Sequence, residues 1–235
     1  MCGRFNVIDN PGLQALLRDL GIDLQLPAAT KGGVNIAPTE PVLIARRIPA
    51  GGEAEEETSL ETARWWLTPS WADEVSQKYA MFNARSETLA RSPAFRGPFK
   101  RQRGVVPMSS FLEWRKEGAT KQPWGITTED NALAVAALWD VWEKGGAPLL
   151  SCTLVTTAAA PAFTPWHSRM PVLLTRAEQQ RWLDNTAAIP ADDALFEPRL
   201  KQPLLLAPLD RTVSNARNTG PELLEPVGDV VTLTP

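Results

Sequence analysis

The stretch LAVAALWDVWEKGGAPLLSCTLVTT, residues 133–157, decides the fold class of this chain. Its first part is rich in alanine and leucine, a composition that suits a helix as well as a buried strand. Gly145 and Gly146 then interrupt the pattern, and a second apolar run with several β-branched residues follows. Two apolar runs joined by a glycine turn predict a β-hairpin with strands at 133–142 and 149–157.

Much of the remaining chain also has the pattern of strands. β-Branched and aromatic residues bounded by turn residues predict strands at 41–48, 60–67, 104–108, 111–115, 124–128, 204–208 and 230–233. The first two of these strands are expected to form a hairpin. The segment that joins them, 49–59, is rich in Gly and Glu and predicts a mobile acidic surface loop.

Two clear helices complete the predicted elements. Asn10 is placed to cap the first, and Thr175 begins the second, which extends to Asn185 and has Glu178 in the position of a capping box. No repeat or long linker divides the 235 residues. We therefore expect one α+β domain, a curved, mostly antiparallel, barrel-like β-sheet with peripheral helices and a C-terminal tail at 227–235.

Composition limits the class of protein. No segment reaches the ~20 apolar residues of a membrane span, and the first residues lack the apolar region of a signal peptide. Two Cys and one His are too few for a disulfide framework or for a zinc site built from these residues. We expect a cytosolic monomer without membrane association, metal or cofactor.

Charge is distributed unevenly along the chain, although its net value is only −3. The basic segment, residues 78–121, contains ten Lys and Arg but three Asp and Glu, whereas the remainder is acidic. Such a segment predicts a polyanion-binding surface, and a solvated face without a ligand is the alternative. Most of the nine Trp are expected in the core, but Trp71 follows a Pro-Ser turn and is expected at the surface, where rings stack on single-stranded bases.

Cys2 is the first candidate for covalent chemistry. Once the initiator Met1 is removed, Cys2 carries a free α-amine and a thiol on adjacent carbons. The amine, with an ordinary pKa of roughly 7.7–8.0, can condense with an aldehyde, and the thiol can close on the imine to form a thiazolidine ring. The other cysteine, Cys152, lies in an apolar strand and is expected to be inert packing.

Two groups that transfer protons are candidates for the same site. His167, the only histidine, lies in a polar turn before a strand, where a structural role is the alternative to proton donation near an anion. Strand alternation places Glu113 on one face with Phe111, which predicts desolvation and a raised pKa. The alternative for Glu113 is an ion pair with Arg115 on an edge strand.

The sequence Asn83-Ala84-Arg85-Ser86-Glu87 combines an amide, a guanidinium and a carboxylate at a predicted junction between a loop and a helix. Its simplest interpretation is a helix start, with Ser86 as the N-cap. That interpretation leaves Asn83 and Arg85 able to contact a ligand.

Eight segments of the chain resemble, in the same order, motifs of the SOS-response-associated peptidase (SRAP) family. They are MCGRF (1–5), NIAP (35–38), WWLTPSW (65–71), NARSET (83–88), FLEW (111–114), KQPW (121–124), HSRMPVLL (167–174) and SNARNTGPEL (214–223). The resemblance extends from residue 1 to about Pro226. No single motif is specific to the family. An early cysteine followed by several motifs in the family's order is specific to it.

The resemblance implies a sensor and covalent trap of abasic sites in single-stranded DNA. Self-cleavage after Met1 would expose Cys2. Cys2 would then form a thiazolidine cross-link with the ring-opened sugar, an activity like that of a lyase, and the cross-link would protect the lesion. Asn83 and His167 would contact the sugar, with His167 protonating the ring oxygen. Glu113 would move protons during cross-linking, its reversal and the removal of Met1.

The resemblance also implies a set of DNA contacts, namely Gly3, Arg4, Asn35, Pro38, Trp71, Arg85, Thr156 and Arg169. The three arginines would hold phosphates, which positions a lesion without reading a base. The implied partner is single-stranded DNA containing an abasic site, and replication-fork proteins are further candidates. The implied place of action is the nucleoid of a bacterial cell.

Two other functions remain open. The first is a thiol peptidase or autopeptidase with Cys2 as nucleophile, His167 as base and Asn83 as orienting group. The second is a non-catalytic module that binds single-stranded DNA through the basic segment and exposed tryptophans. A covalent adduct with abasic DNA on a denaturing gel would separate the trap from both.

Overall fold

The computed structural model describes residues 2–22, 33–49 and 56–235. The strands are β1 (Phe5–Asn6), β2 (Pro41–Pro49), β3 (Glu56–Trp65), β4 (Asn83–Arg85), β5 (Arg103–Met108), β6 (Ser110–Glu117), β7 (Thr120–Thr127), β8 (Leu133–Trp142), β9 (Leu149–Ala158), β10 (Arg169–Pro171), β11 (Leu204–Pro208) and β12 (Val231–Leu233). The α-helices are α1 (Pro11–Asp19), α2 (Arg96–Arg101) and α3 (Arg176–Leu183), and short 3₁₀ turns lie between them. None of the helices in the described part of the chain is long and apolar enough to cross a bilayer.

The strands form two sheets. The first has five antiparallel strands in the order β1-β6-β7-β11-β12. The second has seven, in the order β10-β9-β3-β2-β5-β8 with β4 beside β9, and β8 pairs again with β9 so that the path returns on itself. The α+β class and the mostly antiparallel pairing are confirmed. The expected single sheet is two sheets, and the barrel-like character is limited to this return of β8 onto β9.

The hairpin at the centre of the second sheet agrees with the sequence pattern. β8 pairs antiparallel with β9, with Trp142 opposite Leu149. Gly146 in the connecting turn has φ +97°, a conformation that glycine adopts without steric cost. Most residues of both strands are buried, which explains why the sequence shows continuous apolar runs rather than alternation.

Local capping signals are also confirmed. The side chain of Asn10 accepts a hydrogen bond from the Leu13 N–H at 3.0 Å, at the start of α1. At the start of α3, Thr175 and Glu178 form both hydrogen bonds of a capping box.

Three expectations required correction. The acidic loop predicted at 49–59 is shorter, because β3 already begins at Glu56; residues 50–55 lie outside the described part of the chain. The junction at 83–85 is a strand, β4, which pairs parallel with β9. Ser86 is not an N-cap: it is the first residue of the 3₁₀ turn, Arg85 occupies the cap position, and Arg85 makes no capping bond through its side chain.

Arg103, at the start of β5, connects two helices. Its side chain is fully buried and donates hydrogen bonds to the backbone carbonyl oxygens of Phe99, Lys100, Trp182, Asp184 and Ala187. These carbonyls lie at or just beyond the ends of α2 and α3, where helices leave acceptors without intrahelical partners. Arg103 therefore caps both helices. Although it belongs to the basic segment, it contributes nothing to a basic surface.

Arg103→Gln is expected to lower the free energy of unfolding by at least about 3 kcal/mol, because several buried acceptors lose their donors together. Arg103→Lys should restore only part of this stability, since one ammonium group cannot reach both helix ends. Urea unfolding followed by circular dichroism measures both effects. The control is Arg101→Gln at an exposed site in α2, with an expected change under about 0.5 kcal/mol. Equal losses in the Arg101 and Arg103 variants would contradict the capping role.

Candidate active site and nucleic-acid interface

Cys2 lies just before β1, at the edge of the five-stranded sheet. The next residues are bound to β6, since the Leu112 N–H donates to the Arg4 carbonyl at 2.9 Å. The Cys2 side chain is 1% exposed, and its Sγ lies 3.7 Å from the same carbonyl oxygen. Burial raises the pKa of the Cys2 thiol, and the negative charge of Glu113 raises it further. Cys2 is therefore a neutral thiol in this setting.

Asn83 connects the two sheets at this point. It lies on β4, beside Leu154 of β9 in the seven-stranded sheet. Its Nδ2 donates a hydrogen bond of 2.8 Å to the carbonyl oxygen of Cys2. Its Oδ1 is buried and accepts no hydrogen bond from the described residues. Asn83 thus fixes the backbone of Cys2 and retains an acceptor for a donor group of a ligand.

Glu113 lies on the inner face of β6. Phe111 belongs to the main core and Leu112 to a second cluster on the other face, which confirms the predicted alternation. Glu113 faces Trp124 across the strand pair and is 2% exposed. Burial raises the pKa of Glu113 to about 7, and the positive charge of the chain's N-terminus opposes this shift. The carboxyl group can therefore both give and accept a proton near neutrality.

The predicted alternative for Glu113, an ion pair with Arg115, is wrong. Arg115 approaches Glu117 instead, with its Nε 3.6 Å from a carboxylate oxygen. The residue opposite Glu113 on β7 is Trp124.

His167 lies half-buried in the turn before β10. The Arg169 N–H donates to its Nδ1 at 2.9 Å, and the Arg169 carbonyl oxygen lies 3.1 Å from the same atom. The first contact needs a lone pair on Nδ1 and so favours the neutral ring with its proton on Nε2. The second fits a ring with a proton on Nδ1, which is either the other neutral tautomer or the protonated ring. Burial lowers the pKa of His167, and the charge of the N-terminus lowers it further. The neutral ring, with Nε2 as donor, is thus the favoured state at neutral pH.

Arg169, expected to hold a phosphate, is already paired in this structure. Its two terminal nitrogens donate to the carboxylate of Glu87 at 2.9 and 3.0 Å, and one of them also donates to the Thr156 carbonyl at 2.7 Å. Arg85, on the neighbouring strand β4, is exposed, and its side chain makes no hydrogen bond with the described residues. Of the two arginines on the seven-stranded sheet that are expected to bind phosphates, Arg169 is paired and Arg85 is open, which means that its side chain is exposed and makes no hydrogen bond with the described residues.

Arg4 and Asn35 form a second paired group. Arg4 donates to the side-chain oxygen of Asn35 at 2.8 Å. Asn35 has φ +60°, is 1% exposed, and donates to the carbonyl oxygens of Val213, Asn215 and Asn218. A contact between the Asn35 side chain and DNA would have to break these bonds. In this structure Asn35 positions Arg4 and joins the N-terminal segment to residues 213–218.

The remaining expected DNA contacts differ in exposure. Trp71 is 61% exposed, as expected for a surface ring. Gly3 and Pro38 are half-buried, and Thr156 is buried against Arg169. Of the expected contacts, the side chains of Trp71 and Arg85 are the most accessible.

The four expected catalytic residues are not equally connected. Cys2 and Asn83 share a hydrogen bond, and Glu113 acts on the Cys2 thiol through its charge. His167 belongs to the turn beside β10, and it shares with Glu113 the influence of the N-terminal charge. No three His, Cys, Asp or Glu side chains of the described residues are arranged to hold a metal ion.

The sequence patterns did not reveal an aromatic pair beside Glu113 and His167. The rings of Trp124 and Trp166 lie edge to face with centroids 5.5 Å apart. Trp124 faces Glu113 across the sheet, and Trp166 immediately precedes His167. Pairing of the predicted strands at 111–115 and 124–128 would have placed Trp124 near Glu113. The contact with Trp166 depends on a long-range turn that strand periodicity does not reveal.

Known proteins resemble this chain over almost its full length. The family model described as SOS response associated peptidase (SRAP) matches residues 1–216. The abasic site processing protein YoqW of Bacillus subtilis is 32% identical over 230 residues, which cover 96% of this chain and 99% of that protein. The abasic site processing protein HMCES of Gallus gallus is 32% identical over 213 residues, which cover 80% of this chain and 63% of that protein.

The fold has also been observed by crystallography. A protein from Bacteroides thetaiotaomicron, with 21% sequence identity, superposes with a TM-score of 0.75 over 96% of this chain and 100% of that one. Its identity is low, so it supports the fold alone. The family match covers most of the chain and includes Cys2, Asn83, Glu113 and His167, and we conclude that this chain belongs to the SRAP family.

Proposed function

We propose that this protein captures abasic sites in single-stranded DNA by forming a thiazolidine with Cys2 after Met1 has been removed. One observation carries the proposal: the buried Cys2 is held by Asn83 beside a carboxyl group, Glu113, whose pKa is about 7. The names of the relatives YoqW and HMCES, both abasic site processing proteins, support the choice of lesion.

The first covalent step joins the α-amine of Cys2 to the aldehyde carbon of the ring-opened sugar. The nitrogen attacks the carbonyl carbon, and a carbinolamine forms. Loss of water then gives the imine, and the protonated carboxyl of Glu113 can supply the proton that the departing hydroxyl needs. His167, with its proton on Nε2, can donate a hydrogen bond to the sugar ring oxygen. Its protonated form, a minor fraction at neutral pH, can transfer a proton to that oxygen as the C–O bond of the closed form breaks.

The second step closes the ring. The Cys2 sulfur attacks the imine carbon, a C–S bond forms, and the thiol proton moves to the nitrogen. A neutral buried thiol is a weak nucleophile by itself, so a base must accept its proton as the bond forms. The carboxylate form of Glu113 can do this and then return the proton to nitrogen. The sum of both steps is a thiazolidine and one water molecule.

The thiol peptidase alternative has less physical support. A peptidase of that kind needs a thiolate, and both burial and the charge of Glu113 disfavour the Cys2 thiolate. Ring closure on an imine does not need a preformed thiolate, because the proton leaves as the C–S bond forms. We assign hydrolysis of the Met1–Cys2 bond to the same site, with Glu113 as the group that moves protons, because Cys2 lies beside that carboxyl and cleavage of the bond does not require a Cys2 thiolate if water is the nucleophile.

Cys2→Ala is expected to abolish the covalent adduct with a single strand containing one abasic site, and Cys2→Ser should give no stable ring because its hydroxyl is a poorer nucleophile. A denaturing gel measures the adduct. The matched control is Cys152→Ala, which removes the other buried thiol, costs about 1 kcal/mol of stability and should leave the adduct unchanged. An adduct formed equally by Cys2→Ala would refute the proposal.

A blocked N-terminus tests the amine separately from the thiol. A tag fused before Met1 that prevents its removal should abolish cross-linking, because the nitrogen of Cys2 remains an amide and cannot form an imine. The same tag at the C-terminus should have no effect. Mass spectrometry establishes the mature N-terminus of each protein before the gel assay. Cross-linking by a protein with an intact Met1–Cys2 bond would contradict imine formation.

Glu113→Gln is expected to slow cross-linking roughly 100-fold or more while DNA affinity remains. The substitution should also raise the free energy of unfolding, by an amount that depends on pH. The pKa of Glu113 is raised in the folded state from 4.5 to about 7, so unfolding favours its ionised form. Wild-type stability therefore falls as pH rises between these values, and the advantage of the variant grows over the same range to about 3 kcal/mol.

The measurements are single-turnover gel assays and urea unfolding at pH 4.5, 6 and 8. Glu129→Gln, in the turn after β7, is the control, and its exposed side chain should affect neither rate nor stability beyond about 0.5 kcal/mol. An advantage of Glu113→Gln that is equal at all three pH values would show that the buried carboxyl does not titrate as argued.

A further inference from the structure

Of the arginines expected to bind phosphates, only Arg85 has a guanidinium without a hydrogen bond to the described residues. Arg4 is bonded to Asn35, and Arg169 forms a two-point ion pair with Glu87. Arg85 is open, but it lies on β4 of the seven-stranded sheet. A sugar-phosphate strand that passes between the sheets over Cys2 would also need a cation on the five-stranded sheet.

Arg115 has the required position. It lies two residues after Glu113 on β6, so both side chains project from the same face, with Cα atoms separated by roughly 6.7 Å. Its side chain is 37% exposed. The residue is therefore close enough to the proposed reaction centre to contact a neighbouring nucleotide, and it remains accessible to one.

Two tryptophans hold the Arg115 guanidinium in place. Its Cζ lies 5.6 Å from the ring centroid of Trp124 and 5.5 Å from that of Trp166. These rings adjoin Glu113 and His167, so the cation is fixed relative to both proton-transfer groups. Stacking on a ring uses the face of a guanidinium and leaves its N–H edge for a planar acceptor such as a phosphate.

The charge of Arg115 is only weakly neutralised. Among the described residues its acidic neighbour is Glu117, at 3.6 Å, and that carboxylate is 41% exposed. Exposed ion pairs of this kind contribute little and exchange readily for another anion. The contrast is Arg169, whose pair with Glu87 has two short hydrogen bonds.

We propose that Arg115 binds a backbone phosphate of the DNA from the five-stranded sheet, while Arg85 binds one from the seven-stranded sheet. The abasic nucleotide then lies between the two phosphates, over Cys2 and Glu113. This inference rests on the proposed function for the location of the lesion. The phosphate contact itself does not require the covalent step, which allows it to be tested separately.

The test measures the affinity of the full chain for an unmodified labelled single strand at several salt concentrations, by fluorescence anisotropy. Arg115→Gln should weaken binding about tenfold at low salt. It should also reduce the slope of log K against log salt by about 0.7, the value for one lost phosphate contact on a single strand. Arg115→Lys, which keeps the charge without the planar stack, should retain the slope.

Lys116→Gln is the matched control. It removes the same charge from the next residue, whose exposed side chain projects from the opposite face of β6. It should leave both affinity and slope unchanged. An unchanged slope for Arg115→Gln, or an equal loss for Lys116→Gln, would overturn the inference. Circular dichroism and thermal unfolding verify that each variant is folded.

The two proposals fail in distinguishable ways. If wild type forms no adduct with abasic DNA, but Arg115→Gln still lowers the salt slope on unmodified DNA, the covalent function is wrong and the phosphate site stands. If wild type forms the adduct, and Arg85→Gln weakens binding whereas Arg115→Gln does not, the Arg115 site is wrong and the function stands.

Discussion

The hydrogen bond from Asn83 to the Cys2 carbonyl joins the two sheets where the described chain begins. β4, which carries Asn83, is only three residues long, and it is held by parallel pairing with β9. Cys2 belongs to the segment that runs into β1 and is bound to β6. This one bond therefore sets the position of the Cys2 backbone relative to the groups of the seven-stranded sheet. Chemistry at the N-terminus depends on it, because a chain end otherwise frays.

Burial then gives the three titratable groups of the site a common property. Removal from water disfavours charge, so the Cys2 thiol and the Glu113 carboxyl have raised pKa values and His167 has a lowered one. A neutral thiol, a neutral imidazole and a carboxyl that titrates near neutrality suit a condensation in which the amine must be unprotonated and water must leave. Trp124 and Trp166, which are themselves buried, lie opposite Glu113 and next to His167, and add apolar surface beside both groups.

Sequence patterns predicted what depends on local geometry. The hairpin of β8 and β9, the Asn10 cap and the Thr175 capping box follow from glycine conformation and from side chains that reach a nearby N–H. Two-residue periodicity placed Glu113 on the face of Phe111 and correctly predicted its raised pKa. The same reasoning could not reveal that Arg103 is buried at two helix ends or that Asn35 joins three distant carbonyls, because each role depends on segments far apart in the chain.

The same limitation explains why the sequence did not show which arginines already have partners within the protein. A sequence shows charge, but only the folded chain shows which charges are already satisfied. Arg4, Arg103 and Arg169 are engaged by protein groups, and the chain as a whole is acidic with a net charge of −3. Exposed cations such as Arg85 and Arg101 still supply non-specific affinity through phosphate neutralisation. That affinity does not distinguish a lesion from an intact nucleotide. In the proposed reaction, discrimination then depends on the aldehyde of the lesion, because an intact nucleotide offers the Cys2 amine and thiol no carbonyl to capture.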